Sequence, residues 1–574
     1  MSEPPVAPTR DAPPWLDVVV ASTPAPTKAA RSDTGRQSEI DSIFLPDPDV
    51  DSLPSEQEHT PARWRELFCL MLIVAVCDAT IYRGNGFAGY ALLFGVVPVL
   101  IVCGTTQRRK HVSLWIVAPM LVLLAGRLLW CGSWLTVCVG VAVLMGFTMS
   151  LSGQRPDVLE GMVFAAHTMI SGYRGFAVYP KLFSRSGPRS KRTHWLTIGL
   201  PLAALLVFSL LFILANPDVA TVFRAGWMRV ASTIEEWFAI ISLPPTEVLF
   251  WMVTAWVAVG FLRPVINRDT FEDVPVPDAP LQSKSPTHAP DPVNLASRNT
   301  LIVVSLLFAV YLAFEFQTLW FRVFPKGFYY SGYAHEGAAW LTVALGVSTV
   351  ILSIIFRGPL LDDPRLSRLR RLAWVWSLEN MLLAVAVYHR LFIYVGFNGM
   401  TRMRIVGFYG MSAVVVGFLL VLWKIGRNRD FVWLLRRHLW TLALAIYLYS
   451  ITPVDALAMR YNVGRIMAGD SAPCVQISVH AISSEGFLVL QPLVTCNDPV
   501  IREGLKALLA NRLDEAESQA SQRQKDGWTA TQIADQKLVQ QLHTARRFSA
   551  SVGDEGRQRK AALEAFHKYA YQWF

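Results

Sequence analysis

Six ionisable residues sit inside otherwise apolar stretches of this 574-residue chain: Asp78, Arg127, Glu315, Glu379, His389 and Arg390. A charge at the centre of a bilayer costs at least about 2.5 to 3.5 kcal/mol, so each needs a partner, water or a substrate in front of it. Their types define the available chemistry. Asp78 or Glu315 could hold a proton or a cation, and Arg127 or Arg390 an anionic group. Alternatively, Asp78, Glu336 or His389 could act as a general base, with Arg402 or Arg404 holding a lipid-linked phosphate. The same side chains can also close interhelical ion pairs or snorkel from a helix end. Glu379 and Arg390 are eleven residues apart, about 20° of rotation at about 100° per residue, which puts both on one helical face.

The elements that must position them are membrane spans. The chain is 53 % apolar and only 17 % charged, where a soluble chain carries about 25 % charge. From Trp64 onward, apolar runs recur at the length that crosses a bilayer, about 20 residues each. Eleven are expected, centred near residues 73, 96, 121, 142, 205, 255, 310, 347, 384, 414 and 444. The expected fold is therefore an all-α integral membrane bundle of about eleven transmembrane helices. Alternate connections hold 24 and 7 Lys+Arg, an asymmetry that puts the N-terminus in the cytoplasm and, with an odd number of spans, the C-terminal domain outside. A chain of this kind has the lipid bilayer as its first partner.

Three regions follow. Residues 1–62 form a polar tail holding eleven of the 34 prolines, with no Lys or Arg from Asp41 to Glu58; it cannot bury enough apolar surface to order itself and is expected to be disordered and cytoplasmic. Residues 63–452 hold the spans. Two connections within them show helical amphipathicity and are expected to lie along the interface: Val158 to Phe176, and the stripe of Phe223, Trp227, Val230, Ile234, Trp237 and Ile241. Residues 453–574 form a mainly helical outer domain, nearly neutral, with 14 Lys+Arg against 13 Asp+Glu. Thr452-Pro453-Val454-Asp455 is expected to start a helix with Thr452 as its cap, and Asp498-Pro499 another. Between them, Val475, Ile477 and Val479 alternate as in a short strand. The sequence beyond Leu509 lacks a strong core pattern.

Several function classes are disfavoured. Gly84-Asn85-Gly86-Phe87-Ala88-Gly89 has the letters of a dinucleotide fingerprint, but it joins two spans instead of a strand and a helix. There is no P-loop, no His-Glu-x-x-His and no Cys/His cluster of zinc spacing, so no cofactor or metal is expected. The net charge of +10 lies in inter-span loops, which argues for topology and against nucleic acid. Cys474 and Cys496 lie in polar sequence on the expected outer side, where disulfides persist, and a bond between them is expected.

Just after the last span, Asp455-Ala-Leu-Ala-Met-Arg460-Tyr461-Asn462-Val resembles a signature of bacterial membrane proteins in two related domain-of-unknown-function families, numbered forty-one fifty-three and forty-one seventy-three. Tyr333-Ala-His-Glu336-Gly337 and the stretch from Tyr394 to Thr401-Arg402-Met-Arg404 are also similar, and the resemblance covers roughly residues 64 to 510. It implies a helical bundle in a bacterial plasma membrane and brings no activity, cofactor or catalytic residue.

Three functions remain, in the order the residues favour them. The first is a non-enzymatic envelope scaffold or sensor, bridging a cytoplasmic tail and an outer domain that bind envelope proteins. The second is a transporter or ion-coupled permease using the intramembrane charges, weakened by the lack of a visible internal repeat. A membrane-embedded transferase comes third.

Overall fold

The computed structural model describes residues 63–105, 111–176, 178–179, 205, 221, 224, 226–229, 244–264, 292–319, 330–356, 366–427, 429, 431–548 and 556–573. The 1–62 tail, the apolar run centred at 205 and most of the Phe223 to Ile241 stripe lie outside them. Within the described residues every regular element is helical and none is a strand.

The membrane region is built from α1 (Trp64–Cys77), α2 (Phe87–Gly104), α3 (Leu114–Cys131), α4 (Trp134–Leu151), α5 (Val158–Phe176), α6 (Pro245–Leu262), α7 (Pro292–Leu319), α8 (Tyr330–Ile355), α9 (Leu366–Asn398), α10 (Arg402–Arg427) and α11 (Phe431–Ile451). Nine of these, α2 to α4 and α6 to α11, are long and apolar enough to cross a membrane. Helix α1 is 14 residues long and continues as a π-helical turn, Asp78–Tyr82. Apolar side chains cover the outside of the bundle: Trp115, Val310 and Trp340 are each more than two-thirds exposed. In lipid that surface has no cost, and helices satisfy their own backbone hydrogen bonds there.

Two groups of helices form separate cores. Ile73, Phe94, Ile101, Leu121, Leu128 and Val259 centre the first, made by α1 to α4 and α6. Leu301, Leu352, Trp376, Phe418 and Val421 centre the second, made by α7 to α11. Helix α11 joins them, with Tyr447 Oη donating to Met120 O and Thr136 Oγ1 to Ser450 O. Helix α5 has both its ends at one end of the bundle. Glu160 in its first turn pairs with Arg436 in the second turn of α11 at 2.6 Å, and Tyr179 just after it donates to Glu66 at the start of α1. Its exposed Met162, Met169 and Tyr173 oppose buried Phe164, Thr168 and Ser171, the pattern of a helix lying across the bundle end.

The C-terminal domain sits on the other end. It comprises α12 (Val454–Met467), α13 (Cys474–Val479), α14 (Ser484–Phe487), a 3-10 turn (Gln491–Thr495), α15 (Pro499–Asp526), a second 3-10 turn (Trp528–Ala530), α16 (Ile533–Phe548) and α17 (Gly556–Tyr571). Its core joins Val475, Ile477, Leu493, Ile501, Leu505, Leu538 and Phe566. The last third of the domain thus contributes to a core that its sequence did not signal.

Three expectations are corrected. The stretch expected as a strand is helix α13: it follows a turn at Pro473, and Gln476 between the apolar residues is buried as well, so the alternation did not separate two faces. Short apolar runs are ambiguous in this way. Thr452 does not cap α12; its hydroxyl bonds back to Leu448 O, while Asp498 does cap α15, accepting from Val500 N and Ile501 N. Cys474 and Cys496 are not joined but are separate buried thiols, that of Cys496 donating to Asp498 O at 3.4 Å. Burial pushes the Cys474 thiol up to about 12, which keeps it protonated and inert. All seven cysteines are expected to alkylate in denaturant without reductant, a mass shift of seven adducts where a Cys474–Cys496 disulfide would leave five.

The glycine-rich turn between α1 and α2 has a steric role. Gly86 lies against the Trp528–Ala530 turn, where a Cβ would come 2.6 Å from Ala530 Cα and 2.7 Å from Thr529 O. The neighbouring Asn85 N–H donates to Thr529 Oγ1 at 3.0 Å. Gly86→Val is therefore expected to push the domain off this turn, raising amide exchange at residues 528–530 while the spans stay folded.

Candidate functional site

The turn from α9 to α10 is held by side chains of α12 and α13 of the C-terminal domain. Helix α9 ends at Asn398, and Gly399 takes φ +88°, the left-handed region in which a side chain is strained. Asn462 of α12 reads the turn with both ends of its amide: Oδ1 accepts from Met400 N–H at 2.6 Å and Nδ2 donates to Met400 O at 2.9 Å. A Cβ at Gly399 would sit 2.5 Å from that Oδ1. Arg465 Nη1 donates to Val395 O at 3.0 Å, and Gln476 Nε2 to Asn398 O at 2.8 Å. Asn398 Nδ2 in turn donates to Trp573 O at 2.9 Å, so residues from the far end of the chain close on the same turn.

The first turn of α10 supplies two guanidinium groups. Arg402 pairs with both carboxylate oxygens of Asp455, which also accepts from Ser483 N–H at 2.7 Å. Burial pushes the Asp455 carboxyl up, but Arg402 and Ser483 outweigh it and hold the group below its ordinary value near 3.8. A depressed carboxylate contributes stability above its unfolded value and loses it as pH falls through the folded one. Protease access to the α12 to α14 region is thus expected to rise below about pH 3.8. In Asp455→Asn that acid step should be absent and access raised already at neutral pH. Arg404 is buried, donates to Gly399 O and lies 3.7 Å over the Tyr394 ring.

These residues border a cavity of about 780 Å³ between α8, α9, α10, α12 and α13, lined by Ala338, Tyr394, Arg402, Arg404, Asp455 and His480 among others. Two of the stretches quoted for the resemblance line this cavity, through Tyr394 to Arg404 and through Asp455; of the third, Gly337 packs on Arg390. The side chains of 330–336, including Glu336, lie outside the described residues. Of the Asp455 to Asn462 stretch, Asp455 and Asn462 face the bundle, while Arg460 and Tyr461 are exposed.

None of the six intramembrane ionisable residues lines this cavity. Asp78 pairs with Arg83 at 3.0 Å and accepts from Trp251 Nε1 at 2.8 Å, and Arg83 reaches Glu247 at 2.5 Å. Arg127 forms a two-pronged pair with Glu485 of the C-terminal domain, at 2.5 and 2.8 Å. Glu315 and Arg390 form another at 2.6 Å for both bonds, with Glu315 fully buried. Glu379 lies beside Ser305, so Glu379 and Arg390 both face α7. His389 is half-buried next to Arg390. At the opposite end of the bundle, Arg263, Glu66 and Tyr179 make a buried cluster, with Arg263 Nη2 to Glu66 Oε2 at 2.8 Å and Tyr179 Oη to Glu66 Oε1 at 2.6 Å.

The sequence reading missed Glu66, Glu247, Arg263 and Glu485. A signal existed for the first three, since charged residues near span ends need partners. Glu485 had none: it sits in a four-residue helix of the polar domain, 358 residues from Arg127.

The fold and its long apolar helices define a multi-pass helical membrane protein, with the C-terminal helices packed on one end of the bundle. The chain matches the family described as Domain of unknown function (DUF4153) over residues 67–484, and it belongs to that family. The match is to the first of the two families it resembles. No curated protein and no solved structure matches it.

Proposed function

We propose that this chain is a non-enzymatic scaffold or sensor of the bacterial envelope, whose bundle holds the C-terminal domain in a fixed pose on the outer face of the plasma membrane. One observation carries the reading: Asp78, Arg127, Glu315 and Arg390 close on partners within the bundle and on the domain instead of converging on a shared aqueous cavity. Charges that serve transport must reach a pathway, whereas charges closed in two-pronged pairs fix a pose.

The proposed topology has eleven spans. Helix α1 with its π-helical turn runs from the Glu66 cluster to the Asn85–Thr529 contact, so it joins the two ends of the bundle over about 28 Å at about 1.5 Å per residue. The chain leaves Tyr179 at one end and re-enters at Glu247, beside Arg83, at the other, which supports a crossing between them. The end away from the domain carries Arg368, Arg370, Arg371, Arg427, Arg429, Arg436 and Arg437, supporting a cytoplasmic assignment for it.

The test is capture of envelope proteins by full-length chain extracted from crosslinked membranes. Partners are expected to be lost when residues 1–62 or 453–574 are deleted, in chains that still accumulate in the membrane. Solute or proton flux in vesicles holding the purified protein, abolished by Glu315→Gln, would overturn the reading.

A further inference from the structure

The cavity at the junction has the shape and polarity of an amphiphile. Its polar end lies where α10 begins and the C-terminal domain covers it, with Arg402, Arg404, Asn398, Gln476 and His480 in the wall. Its other end runs along α10 to Gly410, eight residues and about 12 Å further into the span at about 1.5 Å per residue. There the wall is mostly apolar, from Ala338, Ala339, Leu391, Val406 and Met411, and the hydroxyl of Thr342 is bonded to Ala338 O at 2.7 Å. Ala339, Met403, Val406 and Gly410 are also exposed on the flank of the bundle, so the cavity opens sideways between α8 and α10 at the depth of the lipid.

The polar end is incompletely satisfied. Arg404 Nε, Gln476 Oε1 and Asn398 Oδ1 are buried in residues no more than 6 % exposed and have no hydrogen-bond partner. A buried polar atom left unpaired forfeits the hydrogen bonds it makes to water in the unfolded chain. Arg402 has Nε and Nη2 on Asp455 and remains half-exposed. The two guanidiniums outnumber the one carboxylate, so the local charge favours an anion. An acceptor is needed for Arg404 and donors for the two amide oxygens. A phosphate that carries hydroxyls supplies both.

We infer that this cavity binds one phospholipid from the leaflet on the side of the C-terminal domain, its phosphate at Arg402 and Arg404, its hydroxylated head at Asn398 and Gln476, and an acyl chain along α8 and α10. The inference goes beyond the scaffold or sensor reading and does not depend on it: a lipid there would sit on the contact between bundle and domain whatever the domain does. Arginine suits the phosphate because its planar fork donates two parallel bonds.

The experiment uses the full-length protein in nanodiscs of phosphatidylcholine doped with phosphatidylglycerol, followed by native mass spectrometry after release into detergent. One phosphatidylglycerol is expected to remain bound, with phosphatidylcholine retained at least tenfold less. Arg404→Gln should weaken retention about tenfold or more. If that variant fails to accumulate, Ala339→Trp and Gly410→Leu decide instead, because both alter exposed positions and fill the cavity from its lipid side; each should abolish retention while leaving thermal unfolding in phosphatidylcholine unchanged. Equal retention by wild type and both filling variants would overturn the site. Displacement of the bound lipid by millimolar inorganic phosphate or glycerol phosphate, as effective as by added phosphatidylglycerol, would overturn the lipid in favour of a free phosphate ligand.

Discussion

Replacing Arg390 by alanine is expected to destabilise the bundle by about 3 to 5 kcal/mol, since it leaves Glu315 as an unpaired charge where no part of the residue is exposed. Glu315 is on α7 and Arg390 on α9, so the loss falls on the packing that holds the second core together. Tyr311 Oη also donates to Glu315 at 3.0 Å, but one neutral donor does not replace a guanidinium. The paired replacement Glu315→Leu with Arg390→Met should behave differently. A buried ion pair exchanged for apolar side chains of similar volume is often neutral or stabilising, so the double variant is expected within about 1 kcal/mol of wild type or above it. Denaturant unfolding in a fixed detergent distinguishes the cases. If the single and double variants lose the same stability, the pair is not the closed unit described.

The second large effect concerns the clamp between the bundle and its domain. Glu485→Ala leaves Arg127 with its one carboxylate partner removed, at a side chain only 13 % exposed. The cost of about 3 kcal/mol corresponds to a roughly hundredfold rise in the open population of the contact. Amide exchange should therefore accelerate across α14 and the start of α16, where Lys537 lies 4.9 Å over Trp130 of α3. The α9–α10 turn, held independently by Asn462 and Gln476, should change much less. Equal acceleration at both places would mean that the domain detaches as one piece and that no single contact fixes it.

Much of this architecture could be read from residue order. Nine of the apolar runs are helices at the expected centres, because a span length near 20 residues leaves little ambiguity. Helix α5 was visible as an amphipathic stripe, and Asp498-Pro499 as a helix start, because caps and stripes are local patterns. What failed was also local in cause. The Val475, Ile477 and Val479 alternation lies on a six-residue helix buried on several faces, so period carried no information. The Cys474 and Cys496 expectation rested on compartment alone, which says nothing of whether two thiols meet.

The candidate site was half legible. Six charges stood out as residues needing partners, and four of them, Asp78, Arg127, Glu315 and Arg390, are paired, but pairings such as Arg127 with Glu485 depend on chain folding over hundreds of residues. Asn462 drew notice only through the family resemblance. Its role, two hydrogen bonds to one backbone turn, becomes visible only once Gly399 is seen at positive φ beside it.

That the intramembrane charges serve structure is tested most directly by the apolar double variant Glu315→Leu with Arg390→Met. Introduced in place of the native gene, it is expected to accumulate normally and to restore the phenotype of a deletion strain in full, because a fixed pose survives the exchange. Normal accumulation with no restoration would contradict the claim and return those charges to a transport or proton path.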